Sequence, residues 1–503
     1  MPQQRSSFLR HVSLLPLDRA GCMHTSTDVV KSVRELGSYN AAYVWMISSV
    51  AALGGCLFGY DWVVIGGAKP FYERNFRLVS EESIGWANSS ALLGCLLGSV
   101  LCGFLGDRFG RKRPLTTSAF LFAVSSLYTG LAQSFSVFVA WRIIGGVAIG
   151  IASNVSPIYI AEVSSAALRG RFVTLNQLAI VVGILAAQIV NWLIAERVPD
   201  DLPNELIRQS WNGQLGWRWM FIAVAVPSVL FFICSFLIPE SPRWLAKEGR
   251  GTQARRTLER IGGEHYATNV LRDIEAALEV ESRTGASWQE LVRTKLLAVV
   301  FLGVGLAVFQ QWSGINVIFN YAGEIYRSAG YGVSGVFFNI ALTGTLNLVF
   351  TLVALSCVDR FGRRALMLFG YAGITVSHLM LALAYAFGLQ GLPFLILTLC
   401  TIACYALSLA PVTWVLISEL CPNRGRGAGV SIAVSALWIA CFVLTFTFLI
   451  LNRRLGPSGA FCTYGAICLA GFLFVLMRVP ETKGKTLEEI EREVSVGLQD
   501  RVG

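Results

Sequence analysis

Charge is scarce in this chain. Asp, Glu, Lys and Arg make up 14% of 503 residues, against roughly 25% in soluble domains, while 54% are hydrophobic and mean hydropathy is +0.59. That imbalance excludes an ordinary soluble domain and marks an integral membrane protein. The formal net charge of +10 does not point to nucleic acid, because the basic residues crowd into short loops between apolar runs instead of forming an exposed stripe. Histidine is nearly absent: His11, His24, His265 and His378 stand apart, without companions at ligand or catalytic spacing. The 12 cysteines form no disulfide framework and no zinc spacing, and most, such as Cys56, Cys95 and Cys234, sit inside apolar runs as small hydrophobes. No nucleophile, base and orienter constellation and no phosphate-cradling glycine loop lies on the runs, so the pattern argues against an enzyme and implies no cofactor and no metal. Residues 1–38 contain no apolar region of signal-peptide length and read as a cytoplasmic, poorly ordered tail, within which Met23 also fits as a start.

Long hydrophobic runs are what the chain has in abundance. A span needs roughly 20 apolar residues, and about twelve fit, near 41–67, 84–105, 115–134, 136–158, 172–195, 217–238, 296–326, 335–358, 365–388, 392–418, 428–451 and 459–479. An even number places both termini on one side. Strips at 107–114, 169–171, 360–364 and 424–426 are rich in Arg and Lys, whereas the loops at 69–83 and 196–216 mix both signs, which assigns the basic side to the cytoplasm. Arg453-Arg454, on the opposite side, is the exception. The 49 glycines fit helices that pack closely through small faces, as at Gly94 and Gly98 or Gly145 and Gly146.

The chain also repeats itself. Asp107-Arg108-Phe109-Gly110-Arg111-Lys112 returns as Asp359-Arg360-Phe361-Gly362-Arg363-Arg364, Glu162 followed by Arg169-Gly170 as Glu419 followed by Arg426-Gly427, and Pro239-Glu240-Ser241 as Pro480-Glu481-Thr482. Three pairs in one order imply two equivalent halves with a site between them. The expected organisation is an all-α membrane protein: a tail over 1–38, a six-helix bundle over 39–239, a cytoplasmic helical linker over 240–295, a second six-helix bundle over 296–480 and a tail over 481–503. The linker is too polar to span, yet Leu271, Ile274 and Leu278 keep a helical period.

Together these motifs resemble the sugar porter family of the major facilitator superfamily, over about Ala41 to Gly484, and within it bacterial sugar-proton symporters such as those for xylose, arabinose, galactose and inositol. The basic loop motif is shared across the superfamily, but Pro239-Glu240-Ser241-Pro242-Arg243-Trp244-Leu245, Gln310-Gln311-Trp312-Ser313-Gly314-Ile315-Asn316 and Pro480-Glu481-Thr482-Lys483-Gly484 look specific to sugar porters. The resemblance implies the major facilitator fold in a multi-pass cell-membrane protein. It also implies that Asp107, Arg111, Glu162, Arg169, Glu240, Arg243, Asp359, Arg363, Glu419 and Arg426 form a cytoplasmic charge network of inter-helix ion pairs that latches the two bundles when the protein faces outward. A topology device without a gating role is the competing account.

Asp61, in Gly59-Tyr60-Asp61-Trp62, lies inside the first run, where a lone charge costs on the order of 3 kcal/mol or more. Arg142 enters the fourth run, which runs the opposite way; each residue is expected roughly 10 Å from its span's outer end, so the two can pair. Protonation of Asp61 would release Arg142 and let the first helix rearrange, which is a proton switch. A structural ion pair is the alternative. In the resembling family, Asp at this position is typical of proton symporters, and facilitative glucose carriers have Asn.

The polar residues expected at mid-membrane depth are mostly neutral amides, Gln177, Gln310, Gln311, Asn316 and Asn347, with Gly314 as a break in the seventh span. Amides donate and accept, which suits a neutral polyhydroxyl ligand, and Trp414 and Trp438 can lie against its apolar ring face. Any one buried amide could instead join two helices. These positions match sugar-contacting positions of the resembling family. Two depart: Asn320-Tyr321 stands where many members have Tyr-Tyr, and Leu437 precedes Trp438 where an amide is common. The expectation is proton-coupled import of a pentose, hexose or cyclic polyol, by a monomer in a lipid bilayer. A facilitative carrier is the nearest rival, followed by a non-transporting sugar sensor.

Overall fold

The computed structural model describes residues 39–165, 168–196, 203–284, 296–420 and 426–483, and the expected tails lie almost wholly outside them. The first half comprises α1 (Ala41–Asn75), α2 (Glu81–Phe109), α3 (Lys112–Leu131), α4 (Phe135–Val163) and α5 (Arg169–Ile194). A short α6 (Asn204–Gln209) and a π turn (Asn212–Gly216) then lead into α7 (Trp217–Ile222) and α8 (Ala225–Ser235). The connection holds α9 (Pro242–Lys247) and α10 (Gly251–Thr284). The second half comprises α11 (Leu296–Gln311), α12 (Ile315–Asn320), α13 (Ala322–Ser328), α14 (Val333–Phe361), α15 (Arg363–Ala386), α16 (Leu392–Leu407), α17 (Leu409–Leu420) and α18 (Arg426–Arg478).

Ten helical stretches are long and apolar enough to cross a bilayer, and the last of them turns at Gly456 (φ 71°, ψ 169°) into two. With the 20-residue α3 they make twelve crossings among the described residues, six in each half, as the sequence leads one to expect. Two crossings leave helical geometry part-way along, whereas the junction of α7 and α8 keeps it. The seventh stops at Gln311, passes through Gly314 at φ 81° and restarts as α12, the break expected from its glycine. The tenth breaks at Ser408, between α16 and α17.

Glycines set the close packing of the first half. A Cβ on Gly146 would collide with the Ala91 carbonyl, one on Gly94 with the Ile143 carbonyl, so α2 and α4 meet backbone to backbone. Gly59 and Gly183 join α1 to α5 in the same way. The connecting α9 and α10 dock on the start of α1: the Asn40 N–H donates to the Ile261 carbonyl at 2.7 Å, and Tyr39 meets the Tyr266 ring edge-on. Leu271 packs against a small cluster formed by Trp244, Leu245 and Ala254.

The repeated motifs build the same object twice. Gly110 and Gly362, at φ 86° and 92°, end α2 and α14. Each turn presents backbone N–H groups to a carboxylate from the far end of its half. Glu240 accepts from Arg111 N at 2.7 Å and Lys112 N at 3.2 Å, and Glu481 accepts from Arg363 N at 2.9 Å and Arg364 N at 3.1 Å.

Candidate functional site

A cavity lies between the halves. Phe58 and Trp62 of α1 and Gln177 of α5 line it from the first half; Gln310, Gln311, Asn316 and Asn347 line it from α11, α12 and α14. Trp414 of α17 and Trp438 of α18 complete it, so the structure brings all of the expected substrate residues to one place. Helix breaks make this possible, because α11 ends on Gln310-Gln311 and α12 carries Asn316 back over the same space.

The amides fall into two classes. Gln310, Gln311 and Asn316 are tied together: Asn316 Nδ2 donates to Gln311 Oε1, and Gln311 Nε2 donates to Gln310 Oε1 at 2.7 Å. Gln177 and Asn347 have no hydrogen-bond partner among the described residues and keep donors and acceptors open to the cavity. Trp438 is buried, with Phe58 and Trp62 centroids 5.8 and 6.2 Å from its own, and its indole N–H has no partner among the described residues. Leu437 lines the cavity, whereas Asn320 is buried where α12 passes Gly66 of α1. Tyr405 is not among the residues the sequence singles out: it lies near the end of α16, just before the break at Ser408, lines the cavity and accepts from Gln310.

Asp61 and Arg142 meet. Arg142 Nη1 donates to Asp61 Oδ1 at 2.9 Å and Oδ2 at 2.8 Å, both side chains are buried, and the guanidinium also lies over the Phe221 ring at 5.5 Å. Arg142 lies seven residues into α4, as expected, whereas α1 runs on beyond the expected end of its span to Asn75, nearly four turns past Asp61. The added turns hold Lys69, only 2% exposed, whose Nζ pairs with Glu324 of α13, lies 3.6 Å from Glu73 and sits 4.0 Å from the Tyr321 ring centroid. With these partners a charged stretch stays helical and buried where the sequence suggested a loop. The halves touch here again through Phe71 and Phe337, stacked at 6.4 Å, and through Arg453, paired with Glu81 at 3.0 Å.

On the opposite, basic-loop face, Arg111 grips Glu162 with two hydrogen bonds of 3.1 and 3.0 Å, Lys247 reaches Asp107 at 3.2 Å, and Arg363 reaches Glu419 at 3.5 Å. Arg111–Glu162 and Arg363–Glu419 each fasten helices within one half, and Asp107–Lys247 ties the first half to α9 of the connection. Arg169 caps the Ala161 carbonyl at 3.1 Å, Thr482 donates to Glu419 at 2.7 Å, and Arg243 lies on α9 beside Trp244. The side chains of Asp359 and Arg426 lie outside the described ones.

Comparison with known proteins accounts for nearly the whole chain. Residues 47–494 match the family model for sugar (and other) transporters. The chain is 36% identical to the D-xylose-proton symporter of Escherichia coli K12 (90% of this chain, 96% of that one) and 36% identical to the arabinose-proton symporter of Bacillus subtilis (93% and 99%). It is 38% identical to a glucose transport protein of Synechocystis (90% and 97%). The inward open structure of the E. coli xylose transporter XylE superposes with a TM-score of 0.78 at 36% identity, covering 90% of this chain and all of that one. On its repeated halves, its central cavity and this similarity, the chain belongs to the sugar porter family of the major facilitator superfamily.

Proposed function

We propose that the protein imports a monosaccharide or related polyol together with protons, by alternating access of a cavity between its two halves. One observation carries this reading: the unengaged amides Gln177 and Asn347, from opposite halves, face one cavity walled by Trp414 and Trp438, and that cavity is also lined by Phe58, Gly59 and Trp62 of α1, the helix that carries Asp61 of the Asp61–Arg142 pair. Neutral amides from both sides suit a neutral polyhydroxyl solute that both halves must hold in turn. The named activities of the xylose and arabinose relatives support a pentose-sized or hexose-sized cargo. Asp61 carries the proton: ionised it holds Arg142, and protonated it lets α1 move. One proton entering down 100 mV supplies about 2.3 kcal/mol, enough for roughly fifty-fold accumulation of a neutral sugar.

The protein then resides in the cell membrane as a monomer, with its basic loops and both termini in the cytoplasm. The Lys69 face is external, and its closure supports a state that faces the cytoplasm. The domain division follows the repeats, with α9 and α10 as the cytoplasmic connection between bundles. A facilitative carrier is the second reading, supported by the glucose transport protein among the relatives.

Lumenal pH in proteoliposomes tests both. A panel of pentoses, hexoses and inositols is added to wild type and to Asp61→Asn. Acidification by one sugar in wild type alone, with labelled-sugar exchange retained in the variant, supports symport. Sugar equilibration without any pH change makes the protein a facilitator.

A further inference from the structure

The hydrogen bonds around Gln310 run in one direction. Asn316 donates to Gln311, Gln311 donates to Gln310, and Gln310 Nε2 donates to the Tyr405 hydroxyl oxygen at 2.5 Å. An amide nitrogen cannot accept, so each step has a defined donor. The first donor is held in place from behind by Cys441 Sγ, 3.3 Å from Asn316 Nδ2. Tyr405 therefore ends the chain as an acceptor. Its own O–H hydrogen has no acceptor among the described residues, and the side chain lines the cavity next to Gln310 and Trp414.

We propose that Tyr405 is a specificity-determining contact of the transport site, donating its phenolic hydrogen to an oxygen of the bound sugar or polyol. The proposal rests on the sugar-transport reading above and adds a direction to it. Gln310 occupies a lone pair of the phenol, and the carbonyls of Gln310 and Gln311 each already receive a neighbouring amide, so the Tyr405 O–H is the unengaged donor at this end of the relay. A group that pairs with the Tyr405 O–H must accept: a hydroxyl or ring oxygen is favoured, a methylene leaves the donor unpaired, and an ammonium has no lone pair to offer it. Gln177 and Asn347, across the cavity, tolerate either polarity.

The test is counterflow in proteoliposomes of the transported sugar and its complete set of monodeoxy, fluorodeoxy and aminodeoxy derivatives, with wild type and Tyr405→Phe. At one ring position the deoxy derivative should raise the half-saturation concentration about tenfold in wild type, the worth of one hydrogen bond. Fluorine, which accepts weakly and cannot donate, should recover part of that loss, and the amino derivative should be poorest. Tyr405→Phe should handle the parent and that deoxy derivative alike, within about threefold. A variant that weakens every derivative equally assigns Tyr405 a structural role and overturns the proposal, as does a variant indistinguishable from wild type throughout. Failure of wild type to exchange any sugar overturns the transport reading itself, an outcome distinct from the other two.

Discussion

Arg142 places a single nitrogen, Nη1, between both oxygens of Asp61, at 2.9 and 2.8 Å, while its Nε has no partner among the described residues. The pair is buried, so each charge depends on the other. Removing one member of such a pair costs roughly 3–5 kcal/mol, whereas removing both is far milder. Asp61→Asn should lower the melting temperature of the purified protein by several degrees, and Asp61→Asn combined with Arg142→Gln should recover most of it. Scanning fluorimetry in detergent reads both. A single variant as stable as wild type would show that the guanidinium finds other partners.

Lys69 serves two carboxylates from different halves, Glu73 on its own helix and Glu324 on α13. The contact with Glu324 must break whenever the halves separate on this face. Glu324→Gln leaves Lys69 with Glu73 and should shift the protein toward opening there; Lys69→Met leaves two carboxylates without their cation and should be the more damaging change, cutting uptake at least tenfold. Exchanging the charges, Lys69→Glu with Glu324→Lys, places two carboxylates on one helix and should restore little. Initial rates of labelled-sugar uptake at matched expression rank the three.

The carboxylates of Glu240 and Glu481 perform the same task in the two halves, each receiving backbone N–H groups from a turn whose glycine has positive φ. Glu240→Gln and Glu481→Gln should therefore destabilise by similar amounts, about 1–3 kcal/mol each, since a charged acceptor is replaced by a neutral one. Gly110→Ala combines a disfavoured φ with a collision against the Glu240 carboxylate and should cost at least as much. Thermal unfolding of the three variants is the measurement; unequal losses at the two glutamates would separate halves that the repeat makes alike.

The free and engaged amides should separate in mutagenesis. Gln177→Ala and Asn347→Ala remove groups with no intramolecular partner among the described residues, so the half-saturation concentration should rise about tenfold with thermal stability unchanged. Gln311→Leu strands the Gln310 carbonyl and the Asn316 amide, so it should raise the half-saturation concentration and also lower thermal stability. Paired binding and unfolding measurements on each variant decide this.

The architecture was legible in the residues because it follows from solvent. Long apolar runs can only cross a bilayer as helices, and basic strips set their orientation. The duplicated Asp-Arg-Phe-Gly and Pro-Glu motifs betrayed two halves, and the Gln310-Gln311 pair with Gly314 marked a broken helix at a central site. What stayed hidden depends on partners far away in the chain. Lys69 looked like a loop residue because Pro70 and three further charged residues follow it, yet Glu324, 255 residues later, lets it stay helical and buried. Tyr405 reads as one more aromatic in an apolar run, and only the packing of α16 against α11 sets it over Gln310, 95 residues earlier. The roles of Glu240 and Glu481 were visible as motifs but not as acceptors for glycine turns more than a hundred residues upstream. Composition and periodicity report how each segment meets its solvent; which buried polar atom finds which partner is decided only when the segments pack.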